Sequence, residues 1–219
     1  MKVLLIFVGL LSLVNANAQT EKNDPAATAI LTKVKTKYNA FKTLQMDFVM
    51  TTEVPEQKSK IEAGTMAQAG KKYRVSLPQV VTFSDGSVTW TYIKKNNEIQ
   101  INDAKSGGAM ASIAPKQLLK IYESKDFIHA LTGQGKHDGI LCHEIEFKPV
   151  NRRTDFFKIR IAVEKGSNNI KSVKAFYKDG VRIILDMKKQ ITNTAIPAAQ
   201  FTYKASEFPG VPVEDLRLD

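Results

Sequence analysis

The chain has 219 residues, a formal net charge of +10 and one cysteine, Cys142. One cysteine excludes an intramolecular disulfide, so the fold rests on burial alone, which this length supports in a single domain. The lysines come in ones and twos (Lys33/Lys35/Lys37, Lys71-Lys72, Lys94-Lys95, Lys188-Lys189), which excludes a dense polybasic tail and reads as solvated surface or an affinity for acidic surfaces.

Met1-Lys2, the apolar run Val3 to Val14 and the small residues Ala16-Asn17-Ala18 have the three-part layout of a cleavable secretory signal. An apolar run of about a dozen residues is too short to span roughly 30 Å of hydrocarbon. The expectation is a signal peptide over 1–18 and an exported domain over 19–219, its mature start near Gln19. Export also argues against a nucleic-acid partner. No cysteine follows the small residues, so no lipid anchor is expected there.

Asp24-Pro25 opens a helix well, because the aspartate can cap and proline at the first position loses no hydrogen bond. Ile30, Val34, Tyr38, Phe41 and Leu44 recur every three or four residues, predicting an amphipathic helix over roughly 25–43. From Gln45 the period becomes two. Met46/Phe48/Met50, Val88/Trp90/Tyr92, Ile99/Ile101, Ile145/Phe147, Phe157/Ile159/Ile161/Val163 and Ile183/Leu185/Met187 alternate with mostly polar neighbours, as half-buried strands do. Asp85-Gly86 and Asp179-Gly180 are tight-hairpin pairs. The pattern predicts about ten strands in a curled antiparallel sheet. Pro115 to Glu123 reads as a short helix able to cover the open mouth, and Phe127 to Leu131 as another.

Catalytic patterns are missing from the sequence. His129, His137 and His143 have no partner at zinc-ligand spacing, and adjacent Cys142 and His143 point to opposite strand faces. No nucleophile elbow, phosphate-cradling glycine loop or His-Glu-x-x-His helix occurs. Asp85 and Asp179 have turn roles, and Ser84 and Ser87 have no histidine neighbour. The reading is therefore not an enzyme, with no cofactor and no metal. The large strand residues Met46, Phe48, Met50, Met66, Tyr73, Trp90, Tyr92, Phe157, Met187 and Phe201 admit two readings. They fill a core, or they line an apolar cavity inside a curled sheet wide enough to hold a ligand.

In order along the chain, the helix Ile30 to Leu44 followed by Met46-Asp47-Phe48, the stretch Gly64-Thr65-Met66 to Arg74, the segment Ser84-Asp85-Gly86 to Trp90-Thr91-Tyr92 with Glu98-Ile99-Gln100, and the ending Phe208-Pro209-Gly210-Val211 to Arg217 resemble the LolA family of outer-membrane lipoprotein carriers. The resemblance implies a mainly β (α+β) fold: an incomplete antiparallel β-barrel of about ten or eleven strands, closed by a helical lid around an apolar cavity. It implies a monomeric periplasmic carrier that takes acylated lipoproteins from an inner-membrane ABC transporter to an outer-membrane acceptor. On that reading the expected acyl-chain lining is Met46, Phe48, Met50, Met66, Tyr73, Trp90, Tyr92, Ile99, Leu118, Ile121, Phe157 and Met187, and the lid helix and the N-terminal helix are expected to open on loading. One departure stands out. Where some members carry Arg-Pro near the mouth, this chain reads Gly70-Lys71-Lys72-Tyr73, and neither lysine inherits the arginine's role. The competing reading is a periplasmic lipid- or protein-sensing regulator on the same half-barrel.

Overall fold

Asp24 starts the only α-helix among the described residues, which are 22–104, 124–151 and 153–217 of the computed structural model. Its carboxylate accepts from Ala26 N at 2.8 Å, and Pro25 occupies the first turn. Helix α1 spans Pro25–Ala40, ending a turn earlier than the periodicity predicts, because Phe41 turns extended and feeds directly into a strand. Ala27, Leu31, Val34 and Tyr38, spaced by three or four, form its buried face.

Twelve strands follow: β1 (Thr43–Glu53), β2 (Lys60–Ala69), β3 (Lys72–Ser76), β4 (Val80–Ser84), β5 (Val88–Ile93), β6 (Glu98–Asp103), β7 (Phe127–His137), β8 (Ile140–Pro149), β9 (Phe156–Glu164), β10 (Ile170–Tyr177), β11 (Arg182–Thr192) and β12 (Val213–Asp215). They form one open sheet in the order β12-β6-β5-β4-β3-β2-β1-β11-β10-β9-β8-β7. This is the incomplete antiparallel barrel expected, with more strands than the ten or eleven expected and one parallel pair, β12 against β6. Two antiparallel meanders, β1–β6 and β7–β11, are joined where β11 pairs with β1. Phe127 to Leu131 is a correction: it opens edge strand β7 instead of a helix, because His129 and Leu131 pair in register with Phe147 and Ile145 of β8. The segment 1–18 and the lid helix expected near 115–123, with Leu118 and Ile121, lie outside the described residues.

Both Asp-Gly pairs make the hairpins they predict. Asp85 Oδ1 accepts from Ser87 N and Val88 N at 2.8 and 2.9 Å between β4 and β5, and Asp179 Oδ1 accepts from Val181 N at 3.0 Å between β10 and β11. Gly86 and Gly180 take φ of 97° and 88°, a conformation that side-chain-bearing residues rarely adopt.

One face of the sheet shares a single buried core with α1, to which Met46, Phe48, Ile145, Phe147, Ile161, Val163, Leu185 and Met187 contribute. Beyond β11 the chain crosses to the other face and runs through two 3-10 turns, Ala198–Phe201 and Ala205–Glu207, into β12.

Tyr38 fastens the C-terminal end of α1 to the sheet. Its hydroxyl donates to Gln190 Oε1 at 2.9 Å and accepts from Ile170 N at 3.1 Å, bridging β11 and β10. Burial pushes the Tyr38 pKa up to about 12, so the phenol stays protonated and keeps its donor. Tyr38→Phe leaves a buried N–H and an amide oxygen unpaired. We expect it to lower unfolding free energy by about 1–3 kcal/mol in a urea titration; a change within error would mean that the helix is held by packing alone.

Candidate functional site

The helix-facing side of the sheet is the place to look for an apolar ligand surface, and its centre is built from cross-strand pairs. Met46 on β1 stands opposite Met66 on β2, and Phe48 stands opposite Gly64 on one side and Met187 of β11 on the other. Met50 pairs with Leu185 and packs half-buried against the same cluster. Tyr73 and Val75 of β3 continue the surface beyond Met66. Gly64 is what lets this floor lie flat: a Cβ there would come within 2.4 Å of Phe48 Cζ and 2.9 Å of Leu77 Cδ2. Four methionines, Met46, Met50, Met66 and Met187, give a polarisable surface that repacks easily.

Past β3 the same face changes character. In register come Thr82 and Ser84 on β4, then Thr91 and Thr89 on β5. The Tyr73 hydroxyl lies 3.4 Å from Thr89 Oγ1, and Thr82 and Thr91 hydroxyls are also 3.4 Å apart. Burial raises the Tyr73 pKa. The interior is thus a thioether and aromatic floor bordered by a wall of hydroxyls. Val75, Leu77, Leu185 and these threonines are not among the lining residues expected from the sequence; following the register outward from the Met46–Met66 pair identifies them.

This placement corrects four expected lining residues. Trp90, Tyr92 and Ile99 lie on the opposite face. Trp90 stands across from Phe83 and stacks on it at 5.8 Å, and Tyr92 meets Phe208 at 5.1 Å. Ile99, opposite Tyr92, is fully buried, and its N–H donates to Pro212 O. With Phe201 buried and Tyr203 stacked on Phe208, these residues form a second apolar layer under the C-terminal segment. The reason is that alternation fixes which residues share a face but leaves open which face is inside. Phe157 is the fourth correction. At a bulge, Phe156 pairs with Tyr177 while Lys158 pairs with Phe176; Phe156 packs on the core and Phe157 is 48% exposed. Leu118 and Ile121 lie outside the described residues. Met46, Phe48, Met50, Met66, Tyr73 and Met187 come together on the helix-facing side.

Open recesses also occur among the described residues. One of about 390 Å³ sits over β1–β3 beside Arg74 and Gln200. Another, of about 570 Å³, borders Asn23, Pro25, Ile128 and Lys148.

Helix α1 crosses β7 to β11 and is held at each end. At its start, Asp24 N donates to His129 O at 2.9 Å, Asp24 Oδ2 accepts from Leu131 N at 2.9 Å, and Asn23 Oδ1 accepts from His129 N at 3.0 Å. Thr28 Oγ1 and His129 Nε2 share a hydrogen bond of 2.8 Å. Lys37 donates to Ser167 O and Tyr38 completes the far end. Among the described residues, the cover that shares a core with this floor is one helix on a few polar fastenings.

No family model and no curated protein matches the sequence. The fold itself is shared. An uncharacterized conserved protein from Thermus thermophilus superposes with a TM-score of 0.57 at 12% identity, over 87% of this chain and 99% of that one. Looser overlays are found with a DUF1329 family protein from Desulfovibrio piger (TM-score 0.48, 11% identity, 85% and 99% covered) and with a LolA superfamily protein from Nitrosomonas europaea (0.43, 12%, 81% and 97%). The Thermus likeness establishes the shared architecture and no ligand, and the looser two add no argument.

The site yields two predictions. Gly64→Val wedges a branched side chain against Phe48 and should lower unfolding free energy by about 1–3 kcal/mol by denaturant titration; unchanged stability would show that Phe48 swings clear. The second concerns acid. Burial holds the pKa of His129 below its ordinary 6.5, with Asp24 opposing, so protons prefer the unfolded chain and stability falls as pH drops through 6.5. His143 is shifted the same way by burial. The Asp24 carboxyl is held below 3.8 chiefly by the Leu131 N–H, so its contribution is present above 3.8 and lost at lower pH. Melting temperature should therefore decline between pH 7.5 and 5.5, and less so in His129→Gln; equal declines would exclude His129 as a source.

Proposed function

We propose that this protein is a monomeric periplasmic carrier that binds the acyl chains of lipoproteins on the helix-facing side of its open sheet and moves them from the inner to the outer membrane, without chemical turnover. The observation that carries the reading is the methionine-rich floor of Met46, Met50, Met66 and Met187, in a sheet that does not close and sharing its core with the fastened helix α1. The sequence resemblance to LolA carriers points the same way.

Energetics favour exchange of helix for lipid. Burying an acyl chain of roughly 14 methylenes gains about 11 kcal/mol at ~0.8 kcal/mol each. Lifting α1 exposes Ile30, Leu31, Val34 and Tyr38, at about 1.5–3 kcal/mol each, or about 6–12 kcal/mol. The two are of one size, so loading is close to balanced and the cargo can be released again. Buried hydroxyls of Tyr73, Thr82 and Thr89 lie where the polar end of a lipid could hydrogen-bond at the border of the floor. An inner-membrane ABC transporter would load the carrier and an outer-membrane acceptor would unload it.

Size exclusion after incubation with a tri-acylated lipoprotein and its unacylated twin tests the reading. The expected result is a one-to-one complex with the acylated form alone. Met50→Gln, on the floor but only half-buried, should weaken it about tenfold, while Tyr92→Gln on the opposite face should not. Failure to retain either form would favour the sensing regulator on the same half-barrel.

A further inference from the structure

The outer face of β9–β11 carries a feature that cargo binding does not use. Arg182, Phe176 and Lys158 lie side by side across β11, β10 and β9, and Ile184, Lys174 and Arg160 form the next row. Around the Phe176 ring stand Lys158 Nζ at 4.6 Å, Lys174 Nζ at 5.4 Å, Arg160 Cζ at 5.8 Å and Arg182 Cζ at 5.9 Å from the centroid. No two of these cations can therefore be more than about 12 Å apart, close to the ~8–10 Å screening length of physiological salt. Among the described residues, two carboxylates answer them. Glu53 reaches Lys174 and Arg182 at 3.5 Å each, and Glu146 reaches Arg160 at 2.9 Å, Lys158 at 3.2 Å and Lys148 at 4.0 Å. Beside them Phe157, pushed out by the bulge, lies 6.0 Å from Phe176 and is half exposed.

Five cations against two carboxylates on a few strands repel one another, and exposed cation–π contacts are too weak to offset that fully. An anionic surface set against the patch removes the repulsion. We propose that this face docks the protein on anionic phospholipid membranes. The patch is a row of strands with alkyl stems laid along it, charged heads outward and an aromatic ring projecting between them, the arrangement that long basic and aromatic side chains take at a bilayer interface. An acidic peptide, by contrast, is normally held in a groove or along a free strand edge, and β9–β11 are interior strands of the sheet. The proposal goes beyond the carrier reading, and its test contains no lipoprotein, so either can fail without the other.

Co-sedimentation with vesicles decides it. The purified protein should pellet with phosphatidylcholine vesicles containing about a quarter phosphatidylglycerol, should stay in solution with pure phosphatidylcholine, and should be released by salt. Lys158→Gln/Lys174→Gln should weaken partitioning by about fivefold per lysine, and Phe157→Ala should weaken it as well. The same charge change at Lys94→Gln/Lys95→Gln, on the distant β5–β6 turn, should have a much smaller effect. Arg182→Gln, whose side chain is 53% exposed, repeats the test with little risk to folding. No binding to the anionic vesicles, or equal losses in the two double variants, would overturn the proposal. So would retention on poly-glutamate without vesicle binding, which would assign the face to an acidic polypeptide.

Discussion

A twelve-stranded sheet that fails to close has two faces to hide from water. Among the described residues there is one α-helix, and its polar fastenings reach β7, β10 and β11. The other face, over β3 to β6, is covered by chain with almost no regular structure: two 3-10 turns carrying Phe201, Tyr203 and Phe208 onto Phe83, Trp90 and Tyr92. Each cover is local and separately fastened. The helix is held by polar contacts at its two ends, and the C-terminal segment by aromatic stacking and the parallel pairing of β12 with β6.

Much of this was legible in the sequence because it is written in local chemistry. Asp24-Pro25 and the spacing of Ile30, Val34 and Tyr38 specify the helix, and Asp85-Gly86 and Asp179-Gly180 specify two hairpins through one aspartate and one positive-φ glycine each. What was not legible was the sign of the alternation. Val88, Trp90 and Tyr92 share a face as expected, yet they turn away from Met46 and Met66, because Phe208 arrives from more than a hundred residues downstream to cover them. Phe157 fails for a different reason. A single extra residue in β9 moves it out of phase with Ile159 and Ile161, and nothing in a two-residue period announces such a slip. The segment Phe127–Leu131 has apolar spacing that suits a short helix, and only its pairing with Phe147 and Ile145 makes it a strand.

Trp90 and Tyr92 lie on the face opposite the interior. With the indole and phenol rings removed from it, the interior is softer and less aromatic, its large groups being Met46, Met66, Met187, Phe48 and Tyr73. Thioethers adapt to guests of differing length at small energetic cost, whereas stacked rings impose a shape. The two kinds of residue are partitioned by face: the adaptable ones under the helix, the stacked ones under the C-terminal segment, where a fixed shape holds β12 against β6.

The same division by face bears on how one small domain could carry a load and still meet a membrane. If cargo binding lifts α1, it changes the helix-facing side only. The cationic rows around Phe176 lie on the reverse of β9 to β11 and are anchored to strands whose inner side chains Ile159, Ile161, Val173 and Leu185 stay in the core. Strand alternation therefore places a surface for charge directly behind a surface for hydrocarbon, one side-chain layer apart. A guest's hydrocarbon is excluded from the charged side by the sheet itself. Docking and loading are then separated by a backbone that is hydrogen-bonded in both directions and has no reason to move in either event.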